Sequence, residues 1–353
     1  MKNYIELKKY GLTEKFIDLA KEFEGLSVAR IISQEKGIYK IISEKGIKLA
    51  EVSGKFMYKA ESSLDFPVIG DFVMVDLNES GGNAIIHHIL ERKSCFTRKS
   101  SGKLSKEQVV AANIDTVFLC MSLNNDFNLR RLERYLSIAW DSNAVPVIIL
   151  TKSDLCDDLE SKLLEVSSIA FGVDVLVTNS VEEDGYKRVL PFLNENKTVA
   201  FIGASGVGKS TLINCLLGEN HLKTQGIRND DKGRHTTTNR QLFLLPSGCM
   251  VIDTPGMREF GVIDSSDGIE KTFEDIAELE IQCKFSDCSH SNEPGCAVRE
   301  ALENGILSEE RWNAYKKLKT ENSFNDDKNS YLIAKNKKQK EISKLIKKMA
   351  IRR

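Results

Sequence analysis

The pattern of hydrophobic and polar positions changes period along the chain, and the changes divide it into segments. Residues 1 to about 22 mix charged and apolar positions at the spacing of a short amphipathic helix. From Gly25 to Arg92 the pattern shortens to alternating runs: "LSVARIIS", "GIYKIIS", "IKLAEVSG", "DFVMVD" and "NAIIHHIL". Alternation with period two puts one face of each run inside and the other outside, as half-buried strands require. Five such strands separated by Gly-containing turns predict a small antiparallel barrel of the oligonucleotide-binding (OB) type.

From Asn113 the runs become nearly continuous. "DTVFLCMSL" and "VPVIILT" read as strands buried on both faces of a parallel sheet, with a helix-like "LRRLERYLSIAWDS" between them. "DVLVTNS" and another helical stretch lead to "KTVAFIG". "RQLFLLPSGCMVIDTPG" then reads as a hairpin turning at Pro246-Ser247-Gly248. Residues 113–262 therefore form one doubly wound α/β unit. The expected divisions are a helical extension (1–24), the barrel (25–95), the α/β domain (113–262) and a basic, mostly helical C-terminal module (263–353).

Composition adds little to this multidomain α/β picture. With 41% hydrophobic and 29% charged residues, the 353-residue chain reads as soluble and globular, with no need of disulfide staples. No apolar run approaches the roughly 18 residues of a membrane span. The N-terminus "MKNYIELKKYGLTEKF" has no apolar signal-peptide core. A cytosolic monomer without a membrane partner is expected. The net charge of −1 is uninformative, but its distribution is not: Leu332 to Arg353 carries nine Lys or Arg against one acid, Glu341, a charge of +8 that favours nucleic acid. In the barrel, Phe56, Tyr58 and Phe72 could stack bases, although strand aromatics usually serve the core.

The chemistry lies in three motifs that one ligand needs together. Gly203-Ala204-Ser205-Gly206-Val207-Gly208-Lys209-Ser210-Thr211 meets the phosphate-loop pattern between a strand and a helix. Its glycines let successive N–H groups converge on phosphate oxygens, and Lys209 and Ser210 are placed for the β and γ phosphates and for Mg2+. Asp253-Thr254-Pro255-Gly256 has the D-x-x-G form of a metal-side aspartate followed by a γ-phosphate-sensing glycine. In "GRHTTT", Gly233 to Thr238, Thr237 is the first choice for a further magnesium ligand and Thr236 the second. Thr151-Lys152-Ser153-Asp154 closes a buried strand, where Asp154 can accept from the guanine N1–H and N2–H₂ that adenine lacks. "VTNS", Val177 to Ser180, holds the position of a loop that backs the base. The ligands expected are GTP and GDP, with Mg2+; an ATPase is disfavoured by Asp154.

The base motif precedes the phosphate loop, which inverts the ordinary GTPase order. A doubly wound sheet tolerates such a circular permutation because chain termini usually lie close together at the surface.

Of eight cysteines, Cys95, Cys120, Cys156, Cys215 and Cys249 are scattered and read as small buried hydrophobes. The other three belong to Cys283-x4-Cys288-x-His290-x5-Cys296. Three thiolates and an imidazole complete a tetrahedron, so the set points to one closed, structural Zn2+. The module carrying it is expected to bury little apolar surface and to draw folding energy from the metal.

The permuted order, "GRHTTT", "DTPGMREFG" and the cluster after them resemble the ribosome small subunit-dependent GTPase A family (RsgA, also called YjeQ or YloQ), from about Gly25 onward. The resemblance implies an N-terminal OB-fold, a circularly permuted GTPase domain and a C-terminal zinc module. It also implies slow GTP hydrolysis, stimulated by the small (30S) ribosomal subunit, late in that subunit's maturation, with rRNA as a partner. Two positions depart from GTPases at large. Thr151 replaces the usual Asn, which implies weaker guanine binding. Met257 stands where Ras-like enzymes place a catalytic Gln and cannot orient water. His235 is a candidate for that task, or else contacts only rRNA or solvent. A non-hydrolysing GTP sensor that scaffolds RNA is therefore the alternative to an enzyme.

Overall fold

The computed structural model describes residues 4–35, 37–78, 81–99, 107–179, 182, 184–218, 240–253 and 266–322. His235, Thr236, Thr237, Gly256, Met257 and the basic tail 332–353 lie outside the described residues. The chain forms two compact units, Met1–Gly261 and Val262–Arg353.

The five alternating runs become β1 (Ser27–Glu35), β2 (Ile38–Ser43), β3 (Gly46–Val52), β4 (Phe72–Asp76) and β5 (Ala84–Ile89). They are ordered β1-β2-β3-β5-β4, and β4 pairs back on β1, so the barrel closes. Its interior is filled by Ile31, Tyr39, Ile41, Val73, Val75 and Ile86. The barrel is not wholly antiparallel, because β3 and β5 run parallel. That pairing is possible because a helix, α3 (Gly54–Lys59), and the chain after it intervene between β3 and β4. Phe56 and Tyr58 lie on α3 rather than on a strand. Phe72 is fully buried, with its ring centroid 4.3 Å from that of Phe16, and serves the core.

The N-terminal segment is two helices, α1 (Ile5–Lys9) and α2 (Glu14–Ala20), where one was expected. Gly11 breaks them at φ +77, and a Cβ there would lie 2.9 Å from Arg30 Nη1 and 3.0 Å from the Asn196 carbonyl. Close packing on the body of the protein therefore sets the break.

A hairpin follows the barrel, β6 (Cys95–Lys99) with β7 (Glu107–Ala112). Then come β8 (Thr116–Ser122), α4 (Leu129–Asp141), β9 (Val145–Thr151), α5 (Leu159–Ser167), β10 (Asp174–Val177), β11 (Thr198–Ile202), α6 (Lys209–Leu217), β12 (Arg240–Leu244) and β13 (Met250–Asp253). Strands β10-β9-β8-β11-β13 are parallel neighbours and β12 is antiparallel to β13. β11 is buried along its whole length and β8 and β9 at all but their first residues, which is why they read as unbroken apolar runs. The β12–β13 turn closes through Gly248 N–H to the Leu245 carbonyl at 2.9 Å.

Barrel and doubly wound sheet are continuous, because β12 pairs with β1 at Ser33↔Gln241 and Gln34↔Arg240. Arg30 lies fully buried at this seam. It donates to the carbonyls of Tyr10, Gly70 and Asn113 and to Thr198 Oγ1 (2.8 Å), and its Nη1 also contacts Met250 Sδ. Burial pulls its pKa down to about 10, while Asp115 and Asp71 hold it up.

The second unit contains α7 (Ser266–Thr272), α8 (Glu274–Ile281), α9 (Ala297–Glu303) and α10 (309–322). These helices bury Phe273, Ile276, Val298, Leu307, Trp312 and Tyr315 in a core of their own. The expectation of little apolar burial is thereby corrected: the cluster-bearing loop, 283–296, lacks regular structure, but the helices around it share a core.

Candidate nucleotide site and metal centre

The phosphate loop joins β11 to α6. Gly203 leaves the strand where a Cβ would meet the Cys120 carbonyl at 2.6 Å, so the backbone can approach β8 only as glycine. Val207 is buried, Ser205 and Gly206 are exposed, and Gly208 caps α6 at φ 103. Ser210 is half-buried and Thr211 exposed in the helix's first turn. Lys209 Nζ folds back over the loop and bonds the carbonyls of Gly203 and Ala204, the latter at 2.7 Å. Its charge thus lies on the loop whose N–H groups a phosphate would meet.

The base motif ends β9, two strands away. Thr151 is buried, and its hydroxyl donates to the Val207 carbonyl at 2.6 Å. Lys152 takes a left-handed backbone (φ 57), turning the chain into one 3-10 turn, Ser153–Leu155, that exposes Asp154. Ser153 N–H reaches the Thr178 carbonyl at 3.4 Å, and Thr178 N–H reaches Leu150 at 2.8 Å. The base-backing segment is therefore held against the base motif. Asn179 Nδ2 donates to Glu182 at 2.8 Å, and Gly185 packs where a Cβ would overlap the Asn179 carbonyl. Asp253 ends β13 opposite Gln241.

The structure brings Thr151–Asp154, Thr178–Asn179, Gly203–Thr211 and Asp253 to the carboxyl ends of neighbouring parallel strands. Doubly wound sheets bind their ligands there. Cys120 and Cys249, both buried, are pushed up to about 12 and stay neutral, as core residues.

In the second unit, the ligand atoms of Cys283, Cys288, His290 and Cys296 all lie within 4.8 Å of one another and could hold a metal ion. His290 Nδ1 is 3.6 Å from Cys283 Sγ and 3.4 Å from Cys296 Sγ. Burial raises the Cys283 thiol, but N–H groups of Val298 and Ala297 and the neighbouring thiols outweigh it and leave it below its ordinary value. Three sulfurs this close cannot all ionise without a cation between them, so the donor set fits a metal. The loop is shaped by Glu293, whose carboxylate accepts from the N–H groups of Ser289 (3.0 Å), Ser291 (2.9 Å) and Asn292 (3.0 Å). Sequence reasoning missed Glu293 and also Glu280, which contacts His290 Nε2 at 3.3 Å. Their signal was only proximity to the ligands in the chain.

A phosphate loop, a guanine-type aspartate motif and a strand-end aspartate on one doubly wound sheet define a P-loop GTPase domain, here with its base motif first. A family model described as RsgA GTPase matches residues 89–263. Another, described as 50S ribosome-binding GTPase, matches 198–337, beginning at the strand that feeds the phosphate loop and leaving out the upstream base motif. The chain is 49% identical to the small ribosomal subunit biogenesis GTPase RsgA 2 of Lactiplantibacillus plantarum, over 91% of this chain and 90% of that one. It is 44% identical to RsgA of Methanosarcina acetivorans, over 87% and 82%. Among solved structures it resembles YjeQ from Thermotoga maritima (TM-score 0.62, 27% identity, 84% of this chain and 98% of that one). It also resembles YloQ, described as a circularly permuted GTPase (TM-score 0.61, 25% identity, 86% and 96%). The chain belongs to the RsgA GTPase family. Among the described residues no helix is long and apolar enough to cross a membrane.

Proposed function

We propose that this protein hydrolyses GTP in the late maturation of the small ribosomal subunit, as a cytosolic monomer whose barrel and basic tail bind rRNA. The observation that carries the nucleotide reading is the Thr151–Val207 hydrogen bond, which joins the base motif to the phosphate loop as parts of one site. The names of the curated relatives supply the subunit.

Asp154 reads the guanine edge, and Lys152 packs along base and ribose beside Ser153. The N–H groups of Gly203 to Thr211 cradle the phosphates, and Lys209 neutralises charge as it develops on the leaving side. Ser210 and Thr237 hold Mg2+, with Asp253 on the metal side and Gly256 sensing the γ-phosphate. Held by these residues, Mg2+ would supply positive charge against the phosphate oxygens. Met257 cannot orient water, so the intrinsic rate is slow, and His235 is the group that the subunit brings to the task. Cys283, Cys288, His290 and Cys296 hold one structural Zn2+. The functional divisions run at 25–95, 113–262 and 263–353.

Met257 also favours a second reading, a GTP-sensing scaffold that does not hydrolyse. Both readings require nucleotide-dependent docking. Co-sedimentation with purified small subunits should be tighter with a non-hydrolysable GTP analogue than with GDP. Equal binding with the analogue, with GDP and without nucleotide contradicts both.

A further inference from the structure

Resting on the zinc reading above, we propose that Glu280 is the positioning residue that fixes which nitrogen of His290 faces the metal. His290 presents Nδ1 to the sulfurs of Cys296 and Cys283, at 3.4 and 3.6 Å, and Nε2 to Glu280 Oε1 at 3.3 Å. A carboxylate only accepts, so a neutral imidazole paired with Glu280 carries its proton on Nε2 and keeps its lone pair on Nδ1. Metal-binding histidines are commonly oriented in this way through their other ring nitrogen.

Glu280 is itself held in place. Its Oε2 accepts from the Tyr315 hydroxyl at 2.9 Å, and its Oε1 also accepts from Lys319 Nζ at 3.2 Å. Tyr315 is buried, so this support comes from the helical core rather than from a mobile surface chain. The imidazole is bounded on another side by Trp312, edge-on with centroids 5.6 Å apart. The backbone has a separate support: His290 sits at φ 57, and Glu293 binds the N–H groups on either side of it. Glu293 therefore sets where the histidine leaves the chain, and Glu280 sets how its ring is turned. One carboxylate thereby links α8, α10 and the ligand loop.

The test uses the full-length protein, zinc competition with a chromophoric chelator, and long-range proton–nitrogen correlation of the His290 ring. Wild type should bind one zinc, with Nδ1 coordinated and Nε2 protonated. Glu280→Ala should lose about 10- to 100-fold in zinc affinity and show a mixture of ring tautomers. Glu280→Gln, which keeps an acceptor, should retain the tautomer and lose less affinity, and it carries the test if the alanine variant folds poorly. Arg299→Met removes the exposed α9 ion pair with Glu303 without touching Glu280 or the imidazole, and should leave both readouts unchanged. Wild-type affinity and Nδ1 coordination in Glu280→Ala would overturn the assignment. Wild-type protein that takes up no zinc would overturn the metal reading beneath it.

Discussion

The hydroxyl of Thr151, at the end of β9, donates a 2.6 Å hydrogen bond to the backbone carbonyl of Val207 in the phosphate loop. The two residues are 56 positions apart and belong to different recognition elements. The bond ties the end of β9 to the loop between β11 and α6. Most GTPases have Asn where this chain has Thr151, and the structure places a hydroxyl donor there, so the tie between the two elements is retained.

Replacing Thr151 with Val keeps the shape and removes the donor, leaving a buried carbonyl unpaired. Such a loss costs about 1–3 kcal/mol. Part of it should fall on ligand binding, so the dissociation constant for GTP should rise several-fold in equilibrium titrations with a fluorescent analogue. Unchanged affinity would mean that the tie does not order the site.

Asp154 stands exposed on its 3-10 turn, free to face a purine edge. Asp154→Asn turns half of a double acceptor into a donor, which suits xanthine and not guanine. Competition binding should show GTP weakened and XTP strengthened. A variant that keeps the wild-type preference would remove Asp154 from base recognition.

Arg30 binds four oxygen acceptors in the seam between barrel and sheet, with Asp115 and Asp71 near but not bonded to it. Arg30→Met would relieve a buried charge but strand those acceptors, and the second effect should win. A net loss of about 2–4 kcal/mol is expected, read by denaturant unfolding of the first unit. Stability equal to wild type would show that the seam tolerates an apolar plug.

Metal removal should act on the ligand loop rather than on the whole C-terminal unit, because the helices have a core of their own. After chelation, or in Cys288→Ser, amides of 283–296 should exchange hydrogen faster while those of α8 and α10 stay protected. Collapse of protection throughout 266–322 would restore the view that metal supplies the folding energy.

Much of this architecture was legible in the sequence, and the gaps have physical causes. "VPVIILT" coincides with β9 because a strand buried on both faces has no polar position to blur its ends. The strand–loop–helix around Gly203 was legible because such a loop needs glycine where the backbone comes close, as Gly203 does to Cys120. The parallel β3–β5 pair was not, since alternation records which face a residue occupies and not which neighbour it pairs with. Hairpin β6–β7 was missed because its strands are short and mixed. Arg30 gave no sign either: a charged residue in an alternating strand reads as solvent-facing, and its burial depends on strands more than 160 residues away. Glu280 is an ordinary helix carboxylate until Tyr315 and His290 converge on it.

The most direct test of the central claim is multiple-turnover GTP hydrolysis at a fixed protein concentration, with purified small ribosomal subunits titrated in. Slow turnover should rise and saturate as subunits are added, and Lys209→Ala, lacking the phosphate-loop charge, should stay flat at every concentration. Turnover in the wild type that does not change across the titration would contradict a subunit-stimulated GTPase.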